Sequence, residues 1–296
     1  ADLSDWCRRH GASDAVRIYG KVEGRNPGGS VKDRPALSMV LDGLNSGRFS
    51  PGKTLLDSTS GNTGIAYAMI GAALGFPVRL CIPENASRER IAVLRAFGAD
   101  LVLTDPLEGS DGAIVEARRQ LEADPDRYWK PDQYNNPANP KAHAKTTAPE
   151  IWQQTDGQVT HVFASLGTSG TAMGLRQGFD EIAPDVQVVG VEPDHAFHGL
   201  EGLKHMASSI VPGIYDESRL DLKLPAGTEE AYESVQNLAR ETGLMTSPSG
   251  AAALNAAIDL SRQTNAGCFV VILPDHGTRY LTTRVWQSVL TQGGGI

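Results

Sequence analysis

The sequence predicts an α/β protein whose parallel sheets carry helices on both faces. Three observations point that way. Short β-branched runs alternate with amphipathic stretches along most of the 296 residues, the pattern of strand–helix–strand units. Ile114, Val115, Arg118 and Leu121 recur at roughly the 3.6-residue helical period. Hydrophobic residues make up 40% of the chain, enough for a packed core and too many for a disordered polymer. No repeat at a fixed period and no low-complexity linker interrupts the series.

In chain order, Ala36–Leu44 reads as a helix, Thr54–Ser58 as a strand and Gly64–Gly75 as the helix after it. Pro77–Pro83 follows as a strand, Ser87–Gly98 as a helix, Asp100–Thr104 as a strand and Asp111–Asp124 as a helix. A second series begins near Pro140, with a helix holding Ile151 and Trp152, the strand Val159–Leu166, the helix Thr171–Ile182 and the strand Val186–Val191. Two helical segments, Glu229–Thr242 and Ala251–Arg262, precede the apolar strand Cys268–Leu273. The Asn/Pro-rich stretch Gln133–Pro140 is the candidate boundary between the series. Ligands in such folds sit beyond the carboxyl ends of the strands, so the loops after strands are where chemistry is expected.

Composition removes several classes. With 27 basic and 35 acidic residues the formal charge is −8, and no Lys/Arg cluster offers a nucleic-acid surface. The longest apolar stretch, Ile65 to Phe76, is too short to span a bilayer, and the first residues hold no signal-peptide core. Cys7, Cys81 and Cys268 are too scattered for a disulfide framework or a metal-ligand cluster. His195, His198 and His205 lack metal spacing, so no metal is expected. A cytoplasmic protein that binds neither membrane nor nucleic acid is the expectation. The stretch Gly47–Thr54 matches the phosphate-loop pattern letter for letter. A helix precedes it and a strand follows, the reverse of what that motif needs, and Pro51 removes a backbone donor. It reads as a connecting turn.

Three glycine-rich loops remain. Asn26–Arg34 opens a helix with Lys32 in its first turns, where a positive charge is unfavourable on dipole grounds. A solvated lysine beside Asp33 is the plain reading; an amine of lowered pKa, able to form a Schiff base, is the sharper one. Thr59–Gly64 follows a strand and precedes a helix, and its amides and hydroxyls suit a carboxylate or phenolate oxygen. Gly167–Thr171 occupies the same kind of junction with donors suited to a phosphate monoester. A reactive lysine, a carboxylate-sized cradle and a phosphate-sized cradle together point to pyridoxal 5′-phosphate.

Asn26–Arg34, Ser58–Gly64, Gln133–Asn139, Pro149–Thr155, Gly167–Thr171 and Val211–Tyr215 resemble the cysteine synthases, the B-type subgroup in particular. These belong to the fold-type-II pyridoxal-phosphate β-replacement group, which is tryptophan synthase β-like in fold and also contains cystathionine β-synthase. The resemblance runs from about Tyr19 to Leu281. It implies two doubly wound domains: a smaller one over residues 35–139, and a larger, cofactor-binding one made of 1–34 plus 140–296. It also implies a homodimer. Lys32 would be the Schiff-base lysine and general base, and Asn62 would bond the cofactor 3′ oxygen. Gly167, Thr168, Ser169, Gly170 and Thr171 would hold the phosphate. Thr59, Ser60, Asn62, Thr63 and Gln133 would hold the substrate α-carboxylate.

Two departures from the family pattern stand out. The chain opens Asp2–His10 where relatives carry Ile-Gly-Asn-Thr-Pro-Leu, and it reads Ser247-Pro248-Ser249 where relatives place a serine against the ring nitrogen. Ser249 is the residue assigned to that nitrogen, for its place beside a helix start at Gly250, with Ser247 the other candidate. The implied activity is an enzyme making L-cysteine from an activated serine, O-acetylserine in first place, and sulfide or a thiol donor. Lys204 is read as lying on a helix with Glu201 at i−3, where a solvated lysine offset by that carboxylate is the plain reading and stands slightly ahead; a point-charge contact for O-phosphoserine is the sharper one. A cystathionine β-synthase is an alternative, which the end of the chain at Ile296 disfavours. An alternative of another class is a catalytically weak paralogue that keeps the cofactor and serves as a binding partner.

Overall fold

The computed structural model describes residues 1–59 and 61–287. The chain opens in two elements that the pattern above does not announce, α1 (Ser4–Arg9) and β1 (Val16–Val22). Leu3, Trp6 and Cys7 are buried, and the Leu3 amide donates to the Ile18 carbonyl at 2.9 Å. The divergent opening segment therefore adds apolar side chains to the core it packs on.

The chain divides into two compact units, Asn26–Asn139 and Ala1–Arg25 with Pro140–Ile296. The division falls before Asn26, nine residues ahead of the boundary that the resemblance implies, and so places Lys32 in the first of these. The Asn26–Asn139 unit runs α2 (Asp33–Asn45), β2 (Thr54–Ser58), α3 (Asn62–Leu74), β3 (Val78–Pro83), α4 (Arg88–Ala96), β4 (Asp100–Thr104), α5 (Gly109–Ala123) and β5 (Tyr128–Trp129). Its sheet has the order β4-β3-β2-β5, with every pairing parallel. Leu55 and Leu56 are both fully buried yet join different clusters, Leu55 with Ala36, Met39 and Ile65, Leu56 with Ala113 and Ala117. Adjacent strand residues point to opposite faces, so helices cover both sides. Gly47–Lys53 is the connection from α2 to β2, helix before and strand after.

The larger unit resumes with α6 (Ala138–Lys145), which spans the boundary, and α7 (Thr147–Gln154). It continues through β6 (His161–Ser165), α8 (Gly170–Ile182), β7 (Gln187–Pro193), β8 (Leu222–Ala226), α9 (Thr228–Thr242), α10 (Pro248–Ser261) and β9 (Gly267–Leu273). Its parallel sheet has the order β1-β9-β6-β7-β8, which makes β6 the central strand. Phe163 joins the cluster formed with α9 and α10, and α8 lies on β6 and β7.

Three local expectations are corrected. α3 begins at Asn62 rather than Gly64, which puts Asn62 and Thr63 in its first turn. α10 begins at Pro248 rather than near Gly250. The Ser247 hydroxyl accepts from the Gly250 amide and Pro248 takes the first helical position, where its missing N–H costs nothing. The stretch from His198 to His205 is not helical; the next regular turn is the 3-10 turn Met206–Ser208. Among the described residues no helix is long and apolar enough to cross a membrane.

Candidate functional site

The loop Asn26–Lys32 is shaped by short polar contacts. The Asn26 side-chain amide donates to the Ser30 carbonyl at 3.1 Å, and the Lys32 amide donates to the Ser30 hydroxyl at 3.2 Å. The Gly28 amide donates to the buried Asp33 carboxylate at 2.5 Å. A Cβ on Gly28 would lie 2.4 Å from that carboxylate, so a larger residue would have to displace the Asp33 side chain. Lys32 is half-buried and sits at the N-cap of α2, one residue before the helix rather than inside its first turn. Its backbone is already helical there, so the side chain is carried on a defined element.

In the same unit Thr59, Thr63 and Gln133 come together. The Thr59 hydroxyl accepts from the Gly61 and Gly64 amides, each at 3.0 Å, and so caps α3. The Thr63 hydroxyl donates to Gln133 Oε1 at 2.8 Å, and Gln133 Nε2 donates to the Ser58 carbonyl. All three side chains are buried, while Asn62 is half-buried in the first turn of α3. Ser60 lies outside the described residues. This end of α3 presents first-turn amides beside small polar side chains, an arrangement able to receive a carboxylate.

In the larger unit Gly167–Thr171 follows the central strand and leads into α8. Ser169 is the N-cap, held left-handed at φ 68°. Its hydroxyl is buried without a hydrogen-bond partner, which in a native site marks a group awaiting a ligand or serving a strained function. A Cβ on Gly167 would lie 2.1 Å from the Gly202 carbonyl oxygen, so glycine is required for the backbones to approach. The Lys204 amide donates to the Leu166 carbonyl at 2.8 Å, which fastens the same stretch beside the loop. Lys204 is buried rather than solvated, at 5% exposure.

Ser249 lies in the first turn of α10, its hydroxyl 3.0 Å from that of Ser247. Its carbonyl accepts from the Ser165 hydroxyl at 2.7 Å, which ties the start of α10 to the end of β6, immediately before the Gly167 loop. The Ser247 hydroxyl is engaged in capping, which leaves Ser249 the better placed of the two for an outside partner. His143, given no role in the sequence reading, is fully buried. Its Nδ1 lies 2.9 Å from the Thr147 hydroxyl and its Nε2 lies 3.4 Å from that of Thr171. A histidine four residues before a threonine in a helical stretch was the available signal; its reach to Thr171 depends on how α6 packs against α8.

Residues 6–275 match the model of a family described as pyridoxal-phosphate dependent enzyme. A cysteine synthase of Aquifex aeolicus is 50% identical over 285 residues, covering 95% of this chain and 87% of that protein. Cysteine synthase B of Salmonella typhimurium is 39% identical over 290 residues, covering 98% and 95%. The crystal structure of a cysteine synthase from Entamoeba histolytica is similar with a TM-score of 0.90 and 33% identity, covering 97% of this chain and 87% of that one. The chain belongs to the pyridoxal-phosphate-dependent enzymes, in the group of the cysteine synthases.

Proposed function

We propose that this chain makes L-cysteine by pyridoxal-phosphate-dependent β-replacement, exchanging the acetate of O-acetylserine for sulfide. The observation that carries the reading is Ser169, whose buried, unpartnered hydroxyl stands at the N-terminus of α8, in a loop where a Cβ on Gly167 would meet the Gly202 backbone carbonyl. Leaving such a hydroxyl unpaired costs about 1–3 kcal/mol, and a phosphate oxygen is the partner that a helix N-terminus selects. The residues present therefore fit the cofactor.

When bound, the cofactor supplies an electron sink for the charge left at the substrate α-carbon. Gly167, Thr168, Ser169, Gly170 and Thr171 would hold its phosphate, Asn62 its 3′ oxygen and Ser249 its ring nitrogen. A neutral hydroxyl at that position would offer the ring nitrogen a hydrogen bond without a charge. Thr59, Ser60, Asn62, Thr63 and Gln133 take the substrate α-carboxylate. Lys32 Nζ anchors the cofactor at rest. The same amine, once free, would remove the α-proton as general base while acetate leaves the β-carbon with the bonding pair. Sulfide adds at that carbon and Lys32 returns the proton to Cα.

O-phosphoserine is assigned as a secondary substrate that depends on Lys204, a point charge without bidentate geometry. The protein is assigned to the cytoplasm, in keeping with three buried thiols, and to a homodimer, which size-exclusion chromatography with light scattering tests. The activity itself is tested by absorbance. The purified protein should be yellow, change its visible spectrum with O-acetylserine and recover it on adding sulfide. Borohydride should fix the cofactor to Lys32. A spectrum indifferent to O-acetylserine, or label on another lysine, refutes the assignment.

A further inference from the structure

The unit formed by Asn26–Asn139 buries an ion pair that the reaction does not consume. Asp57, on the inner strand β2, is fully inaccessible to solvent. A carboxylate so placed is costly unless its oxygens are met by donors. Four groups meet it. The Ser58 amide donates at 2.9 Å, the Tyr67 hydroxyl of α3 donates at 3.1 Å, and the Gln133 amide donates at 3.4 Å. Lys130 Nζ lies 3.5 Å from Asp57 and 2.8 Å from the Asp132 carboxylate. Burial raises the Asp57 pKa above the ordinary carboxylate value, and the Lys130 ammonium opposes that shift.

Everything that this carboxylate holds leads to the group assigned to the substrate carboxylate. Tyr67 belongs to α3, whose first turn carries Asn62 and Thr63. Asp132, gripped by Lys130, is in the left-handed region at φ 55°, and that turn delivers the Gln133 amide to Asp57. Gln133 is then fixed from three directions: by Ser58 and Thr63 through its side chain, and by Asn139, whose side-chain amide donates to its backbone carbonyl at 2.7 Å. An apolar pair would hold the sheet together equally well. The charge also matters for function. Without Lys130 two carboxylates would stand close behind a site that must attract a third.

We propose that the Asp57–Lys130 pair positions Gln133 and the first turn of α3 for the substrate α-carboxylate, and keeps that end of the unit from repelling it. Both are positioning residues, and the proposal rests on the carboxylate assignment made above. The test uses the cofactor-loaded protein and two ligands without a β-leaving group, each titrated by visible absorbance. L-methionine carries the α-carboxylate; 3-(methylthio)propylamine is the same amine without it. In Lys130→Met the affinity for L-methionine should fall about tenfold, while that for the amine stays within about twofold. Lys130→Arg should restore most of the loss, since it returns the charge. Tyr67→Phe removes one donor to Asp57 without changing charge and should show the same contrast at about threefold; it serves if Lys130→Met does not accumulate. Equal losses for both ligands, or no loss for either, overturn the positioning role. Wild-type protein that binds both ligands equally well overturns instead the assignment of Gln133 and α3 to the carboxylate, and the proposal with it.

Discussion

At Ser169 a left-handed backbone and a buried hydroxyl that no protein group meets coincide on one residue. Ser169→Ala removes the unpaired group, so the apo protein should be as stable as wild type or slightly more so. Cofactor affinity should fall about tenfold, because a hydrogen bond to a charged oxygen is worth about 1.5–3 kcal/mol. Denaturant melts of the apo form and fluorescence titration of the cofactor read the two signs separately. A loss of apo stability with unchanged affinity would place the phosphate elsewhere. Lys204 makes a different contrast. Its backbone amide is fixed to Leu166 whatever the side chain, so Lys204→Ala should retain most O-acetylserine turnover and lose about tenfold in kcat/KM for O-phosphoserine. An unchanged ratio between the two substrates removes Lys204 from the site.

At the scale of elements, the junction of β6 and α8 depends on close backbone approach. A methyl on Gly167 would meet the Gly202 carbonyl oxygen, a backbone atom that cannot rotate away. Gly167→Ala should therefore cost about 1–3 kcal/mol through forced displacement, and cofactor occupancy in the purified protein should drop sharply; wild-type occupancy would show that the loop tolerates the shift. The strand–loop–helix junctions were legible because glycine, serine and threonine runs sit between unambiguous apolar strands and amphipathic helices. β1 and β8 were not. β1 alternates Arg17 and Lys21 with buried positions, and β8 contains Pro225 at a sheet edge; both are strands because β9 and β7 pair with them, which no local pattern encodes. The early start of α10 is carried by the Ser247 cap and Pro248, a start signal present in the sequence but overridden by the expectation of a glycine start. Asp57 and Lys130 escaped notice because their meaning lies in a contact across many residues, not in spacing.

At the scale of the whole molecule, the chain is similar to cysteine synthases over nearly its full length, and each of its two α/β units carries loops at the ends of parallel strands. Burial pushes the thiols of Cys7 and Cys81 up to about 12 and raises that of Cys268, which leaves them poor nucleophiles at neutral pH. The most direct measurement mixes purified, cofactor-loaded protein with O-acetylserine and sulfide and quantifies L-cysteine and acetate by chromatography, beside Lys32→Ala. The two products should appear in equal amounts, and the variant should lose about a thousandfold in rate, within the range expected for a proton-transfer group. Loaded protein that forms no cysteine, or a Lys32→Ala variant that turns over as wild type does, would contradict the account.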